Sequence, residues 1–199
     1  MEIIDFNLEK IMPYLEKIEL KGGEVFLYKN FKELLMLANK YNVNQVILTN
    51  GLLLNKEIIS FLSKNRVYLS ISIDAADKEM YEKIRSGGKF EKLLENLEIL
   101  KNLKNKNKNF KYSMSSVLMS INYDKVSELV DFAKFYKFDF ISFLKCIEYP
   151  QGDKSLLLTQ EQMYEIYKQV DKETKKLKES VNDFKIKLDI PFVLYHGNN

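Results

Sequence analysis

Hydrophobic positions along this chain switch repeatedly between helical spacing and short β-like runs. Leu8, Ile11, Met12, Leu15 and Ile18 recur at helical intervals, and Pro13 inside that pattern is expected to bend the helix or loosen its first turns. Ile18-Glu19-Leu20 then reads as a short strand. Asn30 followed by Glu33 has the form of a capping box ahead of Leu34, Leu35, Ala38 and Tyr41, which predicts a helix starting near Phe31. Val46-Ile47-Leu48 is the next strand, a helix carrying Ile58, Ile59 and Leu62 follows, and Val67 to Ile73 is the clearest strand of the chain. Asp77 is placed to cap a short helix ending near Arg85, and Phe90, Leu93, Leu94, Leu97 and Leu100 form the apolar stripe of a longer one. Tyr112 to Met119 reads as a strand, Val126, Leu129, Val130 and Ala133 as one helical face, and Phe138 to Leu144 as a nearly continuous apolar strand. Thr159 with Gln162 makes a second capping box before Met163, Ile166, Tyr167 and Val170, and Phe184 to Ile190 supplies the last strand.

Strands separated by helices of about ten residues or more imply right-handed βαβ units and a parallel sheet. The β/α alternation is the only repeat, and no composition shift or flexible linker divides the chain, so residues 1–199 are read as one domain. In such folds ligands gather at the carboxyl ends of the strands. Within Val67 to Asp74 the apolar residues Val67, Leu69, Ile71 and Ile73 share one face, while Tyr68, Ser70, Ser72 and Asp74 share the other. A row of hydroxyls and a carboxylate on one face means either a polar barrel interior or an edge strand turned to solvent.

Composition narrows the class. With 199 residues and 46% hydrophobic content, the chain is long enough to bury roughly two thirds of its unfolded surface. No apolar run approaches the ~20 residues of a membrane span, and Met1-Glu2-Ile3-Ile4-Asp5 lacks the grammar of a signal peptide, so a cytoplasmic protein without a membrane partner is expected. A net charge of +3 on 31 basic and 28 acidic residues is too balanced for nucleic-acid binding. The Lys101 to Lys111 stretch, where lysine alternates with asparagine, reads as a solvated connection, with a phosphate or partner contact as the other reading. The single cysteine, Cys146, can close no internal disulfide and cannot by itself hold an iron–sulfur cluster. It is read as a small buried apolar group, and His196 near the terminus is assigned no role.

Short phrases at strand and helix ends carry the chemistry. Gly22-Gly23-Glu24 directly follows a strand, where two glycines let the backbone turn sharply and meet a ligand without a Cβ in the way. Thr49-Asn50-Gly51 closes the next strand with residues tolerant of left-handed angles. Ser72-Ile73-Asp74 ends the third, and Arg85 precedes Gly87-Gly88 and Phe90. Each has a plain alternative: a turn for the glycines and Asn50, a helix-dipole partner for Arg85, a helix cap for Asn122.

Taken together these phrases resemble the radical S-adenosylmethionine (SAM) superfamily. The resemblance implies an α/β fold, an incomplete TIM-like parallel (β/α)6 barrel whose first strand is missing, and covers about residues 11–151. It implies that Gly22, Gly23 and Glu24 meet the methionyl amino group of SAM, that Asn50 lines the pocket, that Ser72 stands near the SAM carboxylate and Arg85 meets it, and that Asp74 is a further cofactor-binding residue. Arginine suits that task because its planar fork pairs bidentately with a carboxylate. Two positions depart from the family pattern: Val25 stands where a proline is usual, and Ala75 where a glycine is common. The implied chemistry is reductive cleavage of SAM by a [4Fe-4S] cluster to a 5′-deoxyadenosyl radical, with a peptide or protein among the implied substrates. The family's C-x-x-x-C-x-x-C loop is absent, leaving no metal ligands to name.

Two readings follow. The chain is a truncated radical SAM protein, inactive alone, or a degenerate relative that binds SAM or a peptide without redox chemistry. In both, the strand at Ile18 to Leu20 keeps an unpaired edge unless another segment covers it. Restoring a preceding strand is therefore expected to raise the denaturation midpoint and reduce aggregation; equal midpoints and equal sedimentation would refute this.

Overall fold

A computed structural model describes residues 8–148, 150, 152–179 and 183–190; the Met1 to Asp5 segment and His196 lie outside them. The strands are β1 (Lys17–Leu20), β2 (Asn44–Thr49), β3 (Val67–Ser72), β4 (Lys111–Leu118), β5 (Phe140–Lys145) and β6 (Lys185–Asp189). They form one six-stranded sheet in the order β1-β2-β3-β4-β5-β6, every pair parallel. The helices are α1 (Leu8–Ile11), α2 (Phe31–Lys40), α3 (Lys56–Leu62), α4 (Lys78–Ile84), α5 (Phe90–Lys106), α6 (Val126–Phe135) and α7 (Gln160–Glu179). Sequential neighbours joined by crossover helices make the α/β array expected of a partial TIM-like barrel.

One face of the sheet carries the core. Ile47, Leu69, Ile71, Met114, Ile141 and Phe143 are fully buried, together with Leu35, Leu62, Leu97 and Leu129 from the helices. Full burial of such a side chain contributes about 1.5–3 kcal/mol relative to exposure, an upper estimate because the unfolded chain already hides some of its apolar surface. The opposite face is polar: Ser70 pairs in register with Ser113, Ser72 with Ser115, and Ser115 with Ser142. β3 lies between β2 and β4, so its alternating hydroxyls belong to the interior of the sheet and not to an edge strand. Toward the amino ends of the strands Tyr68 stacks on Phe140 at 6.0 Å, and Lys187 Nζ sits 3.8 Å from the Phe140 ring centroid.

Several local expectations need correction. The first helical pattern is cut to a single turn, α1, followed by a 3-10 turn over Met12–Tyr14, as Pro13 dictates. Asn30 precedes α2 but makes no side-chain cap, because its backbone (φ −100°, ψ 27°) is not in the extended geometry a cap requires. The Thr159–Gln162 box is formed reciprocally, the Thr159 amide donating to Gln162 Oε1 at 3.0 Å and the Gln162 amide to Thr159 Oγ1 at 3.3 Å. The lysine-rich stretch is not all connection: α5 runs through Lys106, and Lys104 turns inward.

Lys104 Nζ donates to both oxygens of Asp139 at 2.7 and 2.8 Å and to the Phe110 carbonyl at 2.7 Å, and the Tyr112 amide also donates to Asp139, at 2.8 Å. Burial pushes the Lys104 ammonium down from its usual range, and Asp139 opposes that shift. This latch ties α5 to the starts of β4 and β5. Asp139→Asn is expected to lower unfolding free energy by ~2 kcal/mol, because a largely buried ammonium loses its counter-charge; an unchanged urea midpoint would refute the assignment.

Candidate functional site

The loop after β1 turns through Gly22 (φ 101°) and Gly23 (φ 46°), left-handed angles that side chains resist, with no protein atom within 4 Å of where either Cβ would stand. It delivers Glu24 to the end of β2. There Glu24 Oε1 accepts from the Thr49 hydroxyl at 2.7 Å, and Oε2 accepts from the Asn50 amide at 3.1 Å. Thr49 in turn accepts from the Gly51 amide at 3.1 Å, and Asn50 Oδ1 accepts from the Leu52 amide at 2.9 Å, closing the turn upon itself. Gly51 is required twice over: its φ is 80°, and a Cβ would come within 3.0 Å of both Ile71 and Leu93. Asn96 of α5, fully buried, donates to the Gly51 and Leu52 carbonyls at 2.9 and 3.2 Å.

A second cluster stands at the end of β3. Asp74, with 7% of its side chain exposed, pairs through Oδ2 with Arg85 Nη2 at 2.7 Å and accepts the Val117 amide on Oδ1 at 2.8 Å. Asn122, fully buried, donates to the Asp74 carbonyl at 2.8 Å and the Val117 carbonyl at 3.0 Å and accepts the Met119 amide at 2.7 Å. Lys125 stands at the start of α6, so Asn122 is not its cap; it is a clasp between β3 and β4. Arg85 is a quarter exposed, and its Nε–H is buried without an acceptor. An unmatched buried donor costs about 1–3 kcal/mol, so the guanidinium remains short of an acceptor within the protein. Tyr81, buried beside the pair, has its phenol raised by burial, with Arg85 acting the other way. Ser72 is half-buried on the polar face.

Beyond β4 and β5 opens a cleft of about 830 Å³ lined by Val117, Leu144, Cys146, Leu157, Leu158 and Asp189 among others. Cys146 lines it and is not fully buried, against the expectation of a core cysteine; its amide continues the sheet by donating to the Leu118 carbonyl at 3.1 Å. Among the described residues no group of three His, Cys, Asp or Glu side chains could hold a metal ion. One thiol does not fit a [4Fe-4S] cluster, which takes several.

Glu24 and Asn50 are thus joined by a direct hydrogen bond and Asp74 and Arg85 by an ion pair, Gly22 and Gly23 form the turn that brings Glu24 in, and these loops leave the carboxyl ends of the adjacent strands β1, β2 and β3. Sequence reasoning missed Thr49, Asn96 and Val117. Thr49 stood inside the phrase already noticed, whereas Asn96 lies in an apolar helical stripe with nothing local to mark it.

The fold is a partial parallel β/α barrel with a polar interior face and a rim of hydrogen-bonded loops at the carboxyl ends of its first strands. The model of the radical SAM superfamily matches residues 4–135, about two thirds of the chain, and the protein belongs to that superfamily. A GTP 3′,8-cyclase of Synechocystis is 27% identical over 139 residues, covering 69% of this chain and 41% of that protein. The chain therefore spans about two fifths of this curated relative. Streptococcus suis SuiB bound to S-adenosylmethionine superposes with a TM-score of 0.74 at 17% identity, over 92% of this chain and 43% of that one. Native anSMEcpe with bound AdoMet and a Cp18Cys peptide gives 0.73 at 20% identity, over 91% and 55%.

Glu24→Ala removes the acceptor for the Asn50 amide and the Thr49 hydroxyl, with an expected loss of about 1–3 kcal/mol in stability. Amide exchange at Asn50 is expected to quicken at least about tenfold on the same grounds. Protection equal to wild type would refute the role given to the carboxylate.

Proposed function

We propose that this chain binds SAM at the rim of β1 to β3 and constitutes the ligand-positioning part of a radical SAM protein. The observation that carries the reading is the guanidinium of Arg85, anchored to Asp74 through Nη2 and a quarter exposed. A ligand carboxylate pairs with the exposed part of that fork. The open backbone at Gly22-Gly23 offers an approach for the rest of the methionyl group, and Asn50 and Ser72 line the same rim. Glu24 and Asp74 contribute by holding these parts in place, since their oxygens already accept protein hydrogen bonds.

SAM supplies a sulfonium whose reductive cleavage gives a carbon radical. The electron source is a different matter. With Cys146 as the sole thiol of this sequence, the cluster does not fit, and no step of reductive cleavage is assigned to these residues. The cleft beside Cys146 is the proposed place for a second ligand. Its lining, mostly apolar with Lys145, Glu148 and Asp189 beside it, and the peptide in the anSMEcpe complex favour a peptide or protein segment there. The degenerate, purely binding reading rests on the same single cysteine.

Titration calorimetry with SAM is expected to give saturable binding that Arg85→Ala weakens by about tenfold or more, the value of a charged hydrogen bond. No binding by wild type, or equal binding by the variant, would overturn the reading. Anaerobic incubation of the iron- and sulfide-treated protein with SAM and dithionite is expected to yield no 5′-deoxyadenosine; its formation would overturn the assignment of the electron source elsewhere.

A further inference from the structure

We propose that Asp74 is a positioning residue: its buried carboxylate aims the Arg85 guanidinium at the rim and does not itself touch the ligand. The ligand half of this inference rests on the SAM reading above, whereas the aiming of Arg85 stands on the geometry alone.

The carboxylate is committed on both oxygens. Oδ1 accepts the Val117 amide at 2.8 Å and Oδ2 meets Arg85 Nη2 at 2.7 Å, with 7% of the side chain exposed. Of the pair the arginine is the more accessible, a quarter exposed against 7% for Asp74. The anchor under this ion pair is itself fixed from two strands, because Asn122 holds both the Asp74 and the Val117 carbonyls. The long, flexible arginine is thereby tied to a rigid point on β3 and β4, and its fork is oriented before any ligand arrives. Orientation of this kind lowers the ordering cost of binding. In Asp74→Asn the Oδ1 acceptor for Val117 can be kept while an NH2 group faces the guanidinium, donor against donor, so the aim is lost and the strand contact retained.

The chain has two arginines, Arg66 and Arg85, so the side-chain Nε–Hε region of a 15N spectrum carries two signals, assigned by Arg66→Lys. The Arg66 side chain is exposed and makes a long contact, 3.4 Å, from Nη1 to the Asn42 carbonyl, which makes it an internal reference for a loosely held fork. In the wild-type protein the Arg85 signal is expected to show a rigid heteronuclear NOE, and in Asp74→Asn it is expected to fall to that of Arg66 while the Val117 amide stays protected. S-adenosylhomocysteine is then expected to bind Asp74→Asn about tenfold more weakly, the scale of one charge-assisted bond, with 5′-methylthioadenosine, which lacks the amino-acid carboxylate and α-amino group, unaffected. In an Arg85→Ala background the same substitution is expected to change S-adenosylhomocysteine affinity less than twofold. An undiminished loss in that background would make Asp74 a direct ligand contact and overturn the proposal, as would an Arg85 signal that stays rigid. Should the neutral variant not fold, Asp74→Glu keeps the charge but shifts the fork by one methylene and carries the same expectations. Failure of wild type to bind either nucleoside would sink the SAM reading alone, with the NOE still deciding whether Asp74 aims Arg85.

Discussion

Parallel strands splay at their carboxyl ends, and the peptide groups just past the last ladder bond must find other partners or be left unpaired. In this protein side chains take over where the ladder stops. The Ile73 amide still reaches the Ser115 carbonyl at 2.9 Å, but the next donor on the neighbouring strand, the Val117 amide, is met by the carboxylate of Asp74, and Asn122 collects the two carbonyls. Between β1 and β2 Glu24 does the same work for the Asn50 amide and the Thr49 hydroxyl. Two acidic side chains of the family's phrases are therefore turned inward, where they extend the sheet and fix the loops. The groups left facing outward are the glycine backbone and the cationic fork of Arg85.

That division explains which parts could be read from sequence. The β/α alternation was legible because each amphipathic helix and each short apolar run has a local period, and all six strands lie where those runs fall. The alternation of Tyr68, Ser70 and Ser72 correctly marked a polar interior face, since every second residue of a central strand must share a side. Asn30 misled because a capping box is only a spacing, and the chain enters α2 through a 3-10 turn at Val25–Leu27, with the Phe31 amide donating to the Tyr28 carbonyl. Asp139 and Lys104, 35 residues apart, carried no local sign of their pairing, and neither did Asn96 under the Gly51 turn. In the rim phrases the positions of Glu24 and Asp74 were legible, but not the direction in which they spend their hydrogen bonds, because that depends on the neighbouring strand.

The same economy bears on how the chain relates to the chemistry of its superfamily. Ligand positioning and electron supply are separable duties: one needs donors held at fixed points, the other needs several thiolates around iron. The bonds described at the rim, from Glu24 to Asn122, run between groups of this chain. The presence of the family's loop phrases together with a single cysteine in this sequence is then no contradiction. Arg85 and its anchor are fixed by Asp74, Val117 and Asn122, none of them a thiol, so the geometry of the rim and the supply of an electron rest on different residues.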